Sequence, residues 1–343
     1  MADVFVTNFH KRFTGVSATA NAVLAAQLQD LDIALVGDPL PDGPAPIGLR
    51  AALSHPPPAQ RPFAIWHVRR NAEMWAGLYA RDILRRPVKL VFTSAAIRRH
   101  SALPRWLISR MDAVIATTQA AAGFVPHVAA VVPHGVRTQA ILPAPDRAAA
   151  WAATGLPGTK AVATIGRIRP EKGTDRFVDA MIETLPAQPG LTALVIGKAT
   201  SNHVAFQETL KARIQSAGLA ERILFLGEKS PDALHALLPA LSAVVQLPIY
   251  EGYGVVPLEA MSAATPFLAT DTGHYRAFSS QGRCGMIVTP SEVPEALRTL
   301  LGPATHAEMS AQARDIAVSA YDVSQEAAGI NAVYERLWAG DLF

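Results

Sequence analysis

Short apolar runs, many of them β-branched, recur along the chain between longer segments in which apolar residues return every three or four positions. In the first half the runs fall at 3–9, 32–37, 63–68, 88–93, 112–117 and 128–133, with helical periodicity over 16–30 and 71–86. In the second half they fall at 161–166, 191–197, 222–227, 243–248 and 266–270, with helical periodicity over 174–185 and 204–217. Runs of this length alternating with helices predict parallel sheets buried on both faces. Two such series predict an α/β protein of two doubly wound, Rossmann-like domains. The break between them lies around 134–160, where Pro143, Pro145, Gly155, Pro157 and Gly158 cluster. This gives domains at 1–150 and 151–323, and a C-terminal helical segment, 324–343, expected to dock back on the N-terminal domain. The proline-rich loop 38–62 is expected to run over the surface of the first domain. The apolar stretch around Leu234–Tyr250 is cut by His235, Pro239 and Pro248, so it reads as a short helix and a strand and not as a membrane span.

Composition adds limits. At 343 residues the chain exceeds one ordinary core, and with 50% hydrophobic and 17% charged residues it is expected to fold. The single cysteine, Cys284, excludes an internal disulfide and fits a reducing compartment. The opening "MADVFVTNFHKRF" carries no signal peptide, so a cytoplasmic location is expected. The net charge of +3 is unevenly placed: residues 1–150 carry 16 Lys/Arg against 9 Asp/Glu. Much of the excess lies in 61–110, where acidic residues are few, and such a segment suits phosphates, acidic sugars or anionic lipid headgroups. Sparse interleaving of aromatics argues against nucleic acid. No His/Cys/Asp cluster has metal-ligand spacing, and neither a serine nucleophile elbow nor a Gly-Lys-Ser/Thr phosphate loop occurs.

Ligands of open parallel sheets bind beyond the carboxyl ends of the strands, which two facing domains would turn toward one cleft. Two motifs stand at such ends. In "GRIRPEKGTDRF" (166–177), Gly166 ends a strand, Arg167 and Lys172 lie five apart in a turn, and Gly173-Thr174 opens a helix. Two cations beside a helix N-terminus suit a diphosphate, although a basic turn pointing into water explains this stretch alone equally well. In "IYEGYGVVPLEAM" (249–261), Gly252 and Gly254 permit close backbone approach, and Pro257 suits a first helical turn. That leaves Glu251 in the loop and Glu259 on the helix, with the N–H groups of Gly254, Val255 and Val256 between them. Carboxylates accept from vicinal hydroxyls, and a nucleotide sugar carries hydroxyls on both sides of its diphosphate. A dipole role would account for Glu259 but not for Glu251 or the glycines. Lys198 and Glu228, each just past a strand of the second domain, are further donor-side candidates. His67 ends a strand of the first domain, where a structural or an acceptor-side role is open, and His134, in "PHGV" at the domain boundary, suits either a hinge or an acceptor contact.

Taken together, "GRIRPEKGTD" and, about 80 residues later, "YEGYGVVPLEAMSAATPFLATDTG" resemble the retaining glycosyltransferases of the glycogen-synthase-like, mannosyltransferase-rich family with the GT-B fold. A narrower resemblance, in 67–118 and "VPHGV" (132–136), is to the lipopolysaccharide core mannosyltransferases of alphaproteobacteria. The resemblance implies transfer of mannose from GDP-mannose to a hydroxyl of an acidic, Kdo-containing glycolipid, independent of metal and of any cofactor beyond the nucleotide sugar. It implies Arg167, Lys172 and Glu251 as catalytic residues. It implies Gly15, Gly166, Lys198, Glu228, Gly252, Tyr253, Gly254, Val255, Val256 and Glu259 on the donor side, with Gly15 in a glycine-containing loop after the first strand. His67, Arg69, Arg70 and His134 fall on the acceptor side, and peripheral contact with the cytoplasmic face of the inner membrane through the basic N-terminal domain is implied. Two departures stand out: Ser94-Ala95 occupy the place of a family histidine, and Arg276 falls near a usual glutamate.

Overall fold

A computed structural model describes residues 2–11 and 15–342 and divides the chain into two compact units, Met1–Gly135 with Tyr321–Phe343, and Val136–Ala320. The first unit is built on six parallel strands: β1 (Val4–Asn8), β2 (Ile33–Gly37), β3 (Ala64–Val68), β4 (Val88–Ser94), β5 (Ala113–Ala116) and β6 (Val128–Val131). Their order is β2-β1-β3-β4-β5-β6, so the winding reverses between β1 and β3. Helices α1 (Gly15–Gln27), α2 (Leu49–Ser54), α3 (Asn71–Leu78), α4 (Ala102–Ser109) and α5 (Gln119–Ala122) form the connections. A π-helical turn, Tyr79–Ile83, continues α3, and α2 lies within the proline-rich stretch 38–62.

Strand alternation explains both layers. Val4, Val6, Ile65, Val91 and Ile115 point into one core, while Phe5, Trp66, Leu90, Phe92 and Val114 point into another on the opposite face. Met74 and Leu78 of α3, with Leu107 and Ile108 of α4, cover the second face.

The second unit has β7 (Lys160–Ile165), β8 (Leu191–Ile196), β9 (Ile223–Gly227), β10 (Ala243–Gln246), β11 (Phe267–Ala269) and β12 (Gly285–Ile287). They are parallel and ordered β12-β11-β10-β7-β8-β9, with the reversal between β7 and β10. Its helices are α6 (Arg147–Ala153), α7 (Thr174–Thr184), α8 (Val204–Ser216), α9 (Pro231–Leu237), α10 (Val256–Ser262), α11 (Tyr275–Ser279), α12 (Val293–Leu300) and α13 (Pro303–Tyr321). The three-residue β12 and the long α13 have no counterpart in the sequence reading. The division falls at Gly135 and not near residue 150, because the segment after it is tied into the second sheet. Arg147 donates to Leu241 O and Ala264 O, and Trp151 is buried with its indole N–H on Gly158 O.

The last helix, α14 (Val323–Ala339), belongs to the first unit. Ile330, Val333, Tyr334, Leu337 and Trp338 join the core formed by Val4, Val6 and Ile65. Polar anchors fix its register: Trp338 donates to Phe63 O at 2.9 Å, and Glu326 accepts from Gly135 N at 2.8 Å. Without α14 that core face would stand open to water, which is why the chain returns to the first sheet after completing the second. Tyr334 is the buried centre of this contact. Tyr334→Phe should lower stability by about 1–2 kcal/mol through its lost hydroxyl contact. Tyr334→Ala should cost about 3–5 kcal/mol. Chemical denaturation of the two variants measures both.

Candidate functional site

The second unit assembles its site at the carboxyl ends of β7 and β10, the point where the strand order reverses and where open α/β sheets leave a crevice. Past β7 the chain runs through Gly166 and the exposed Arg167, then bridges to the loop after β8 through Ile168 and Ala199. A single 3-10 turn, Pro170–Lys172, follows, and Gly173 caps α7 in the left-handed region at φ 69°. A Cβ on Gly173 would lie 1.9 Å from Leu247 O, so only glycine lets this loop close on the end of β10. Ile249 N donates to Glu171 O at 2.9 Å and latches the two loops from the other side.

The closure brings Lys172 Nζ onto Glu251 Oε2 as a partly buried ion pair. The other oxygen of Glu251 accepts from Gly252 N at 2.9 Å. An ammonium has three donors, so Lys172 can hold Glu251 and still present protons to an anion. Arg167, five residues earlier, has no ion-pair partner among the described residues. Beyond Glu251 the chain turns at Gly254, φ 86°, where a Cβ would strike the Tyr275 ring at 2.3 Å. Val255 and Val256 then open α10, whose first N–H groups have no acceptor within the helix. Glu259, in the first turn, is pushed up to about 7 by burial alone, with no hydrogen bond offsetting it.

Lys198 and Glu228 are exposed at the ends of β8 and β9, one and two strands from Arg167. At about 5 Å per strand, this edge can follow a ligand from the ion pair outward. Tyr253 differs from its expected role: its ring is buried, stacked on His274 and edge-on to Phe278, so only its backbone remains for a ligand. Two residues escaped the sequence reading. Tyr275 lies buried under Gly254, its phenol driven up by burial and then by the Glu251 charge. Thr272 carries a buried Oγ1 with no hydrogen-bond partner, beside Gly273, which packs against Tyr253 O and Glu251. The "TDTG" run was visible as part of the motif, but nothing in it marked Thr272 as inward-facing. Arg276, at the place of a usual glutamate, is exposed and paired with Asp271 at 2.7 Å.

In the first unit, the ends of β1 and β3 meet around one buried carboxylate. Glu73 accepts from Thr7 Oγ1, Phe9 N, Arg69 N and Arg70 N, and from Arg70 Nη1 at 3.1 Å. Three acceptor-side expectations need correction here. Arg70 also reaches Asn8 Oδ1 and Ser17 Oγ, so its guanidinium braces β1, α1 and α3 and is not free for an acceptor. His67 is fully buried, hydrogen-bonded to Tyr334 through Nδ1 and to Thr93 through Nε2. Burial, and then the Arg69 charge, hold it well below its ordinary pKa, so it is a neutral structural group. His134 is buried against Glu326 at 2.7 Å, tying the start of α14 to the sheet. Arg69 keeps a buried Nη1 without a hydrogen-bond partner and remains available. Gly15 begins α1 with open space where a Cβ would stand, and Arg12, Phe13 and Thr14 of the loop before it lie outside the described residues. Ser94 ends β4 buried, with its hydroxyl unpartnered.

Residues 149–315 match the family of glycosyl transferases group 1. The chain is 40% identical over 347 residues to the lipopolysaccharide core biosynthesis mannosyltransferase LpcC of Rhizobium leguminosarum bv. viciae, across 98% of this chain and 96% of the relative. It is 38% identical to the lipopolysaccharide core biosynthesis mannosyltransferase LpsB of Rhizobium meliloti (strain 1021), across 98% and 97%. The crystal structure of Anabaena Alr3699/HepE in complex with UDP and glucose matches with a TM-score of 0.81 over 98% of this chain and 100% of that one, at 18% identity. That likeness shows the fold, GT-B.

The Glu259 carboxyl gives this site a pH signature. Folding raises its pKa from the ordinary 4.5 to about 7, so the folded state holds the proton more tightly than the unfolded chain. Stability therefore falls as pH rises through that window. Glu259→Gln removes the titration: it should match the wild type near the unfolded pKa and exceed it above the folded one, by at most ~3 kcal/mol. Thermal unfolding of both proteins across the window measures the gap.

Proposed function

Because the chain belongs to the glycosyl transferases group 1 family, we propose that it transfers mannose from GDP-mannose, with retention of configuration, to a hydroxyl of an acidic lipopolysaccharide core acceptor in the Kdo region. The observation that carries this reading is the Lys172–Glu251 ion pair at the β7/β10 reversal, with Arg167 beside it and Glu259 beyond the glycine bend. The names of the two long-range relatives favour mannose and the lipopolysaccharide core.

In this reading the bond between the sugar C1 and the diphosphate oxygen breaks, and negative charge grows on the leaving diphosphate. Arg167 and Lys172 neutralise that charge, and the first N–H groups of α10 add their dipoles. Glu251, fixed by Lys172 and Gly252 N, accepts from sugar hydroxyls near C1, while Glu259 accepts from the ribose diol. Lys198 and Glu228 serve the outer part of the nucleotide. The acceptor oxygen bonds to C1 as its proton passes to the departing phosphate oxygen. Acceptor recognition falls to the first unit, where Arg69 is the acceptor-side candidate not consumed in the fold. No histidine enters the step, in keeping with Ser94-Ala95 and with the occupied ring of His67.

Alanine at Arg167 or Lys172 should each lower turnover by ~10²–10³, the loss expected for one donor aimed at developing charge. Glu251→Gln should fall well below the wild-type rate, and an unchanged rate would remove Glu251 from the site. A thermal-shift panel of GDP, UDP, ADP and their sugars tests the donor: stabilisation by GDP compounds supports the mannosyl reading, and a response to UDP compounds alone overturns it.

A further inference from the structure

Some of the cations in 61–110 are paired inside the fold. Arg61 pairs with Glu335, Arg70 with Glu73, Arg81 with Asp82 and Asp112, and Lys89 with Asp112. Four exposed arginines, Arg85, Arg98, Arg99 and Arg105, have no hydrogen-bond or ion-pair partner among the described residues. They flank a surface that a water-facing helix pair does not need. Trp75, Tyr79 and Ile83 recur every four residues along α3 and its π turn, exposed to 48%, 49% and 67%. Leu103 and Trp106 on α4 are exposed to 53% and 49%. The rings of Trp75 and Trp106 lie 5.5 Å apart, which joins the two helices into one apolar face.

We propose that this α3–α4 face is a docking surface for an anionic lipid bilayer. Scattered exposed apolar residues are ordinary, but a contiguous group on adjoining helices marks an interaction site. Tryptophan and tyrosine favour the headgroup level of a bilayer, where their rings are half apolar and half polar. Arginines beside an apolar face add attraction to anionic headgroups, and the two contributions together give stable peripheral binding where either alone is weak. The charge pattern favours a membrane over a protein partner. The unpartnered charges named beside the face are all positive, and Asp82, next to Ile83 in the chain, is already held by Arg81 and Arg110. No helix among the described residues is long and apolar enough to cross a membrane, so attachment through this face is peripheral. The inference stands apart from the transfer reading, since it uses none of the residues placed there.

Co-sedimentation of the full chain with phosphatidylcholine vesicles, with and without phosphatidylglycerol, tests it. The wild type should sediment with the anionic vesicles and be released in part by salt. Trp75→Ser/Ile83→Ser/Trp106→Ser and Arg98→Ser/Arg99→Ser/Arg105→Ser should each weaken binding roughly tenfold or more. A measurement on the wild type guards against misfolded variants. Trp66, Trp151 and Trp338 are buried, so quenching of tryptophan emission by brominated lipids reports contact through the exposed Trp75 and Trp106 rings. Failure of the wild type to bind anionic vesicles, binding without quenching, or full binding by both folded variants would overturn the proposal. So would a concentration-dependent dimer, abolished by the tryptophan variant, in a protein that ignores vesicles.

Discussion

The contact of Gly173 with the carbonyl of Leu247 is the constraint on which the candidate site rests. It can form only where no Cβ intervenes, and it draws the loop after β7 against the end of β10. Lys172, one residue earlier, is thereby set on Glu251, and Glu251 on Gly252 N. A cation, a carboxylate and an unpaired guanidinium at Arg167 then stand together at the one edge where the sheet's winding reverses. Two oppositely charged side chains, partly shielded from water, attract more strongly than a surface pair and hold each other in one geometry. This pre-arrangement draws a basic loop and a glycine-rich bend into a single candidate site.

The first unit uses a different device for the same purpose. Glu73 gathers donors from β1, β3 and α3, so that the strand ends and the start of α3 are fixed by one buried carboxylate. Arg70 is consumed in that task, and His67 is consumed in fastening α14 through Tyr334. A polar residue at a strand end thus has two fates. It faces a ligand, or it closes the sheet against the helix that covers it.

That ambiguity explains what the sequence conveyed and what it did not. The strand-helix alternation was legible because buried parallel strands are continuous apolar runs, and Val4, Phe5 and Val6 need no context to be recognised as one. The candidate site in the second unit was legible as a grouping because Arg167, Lys172 and Glu251 are charged residues in short loops whose glycines have a geometric reason, with Glu259 on the helix that follows. Tyr253 misled because its value to the fold lies in His274 and Phe278, which only the folded chain brings to it. His67, Arg70 and His134 misled for the same reason: their partners Tyr334, Glu73 and Glu326 lie up to 267 residues away in the chain or serve several elements at once. The apolar face of α3 and α4 was not legible, since the periodicity over 71–86 does not say which apolar residues packing leaves exposed, and α4 lies outside the helical segments read from the sequence.

The central claim is that Lys172 and Glu251 act as one unit on a nucleotide sugar. A double-mutant cycle measures it directly, following nucleoside diphosphate release by the wild type, Lys172→Ala, Glu251→Ala and the double variant. Groups that act as a unit lose most of their effect with the first removal. The double variant should therefore be little slower than the slower single variant. Losses that multiply independently, or single variants that turn over at the wild-type rate, would contradict the claim.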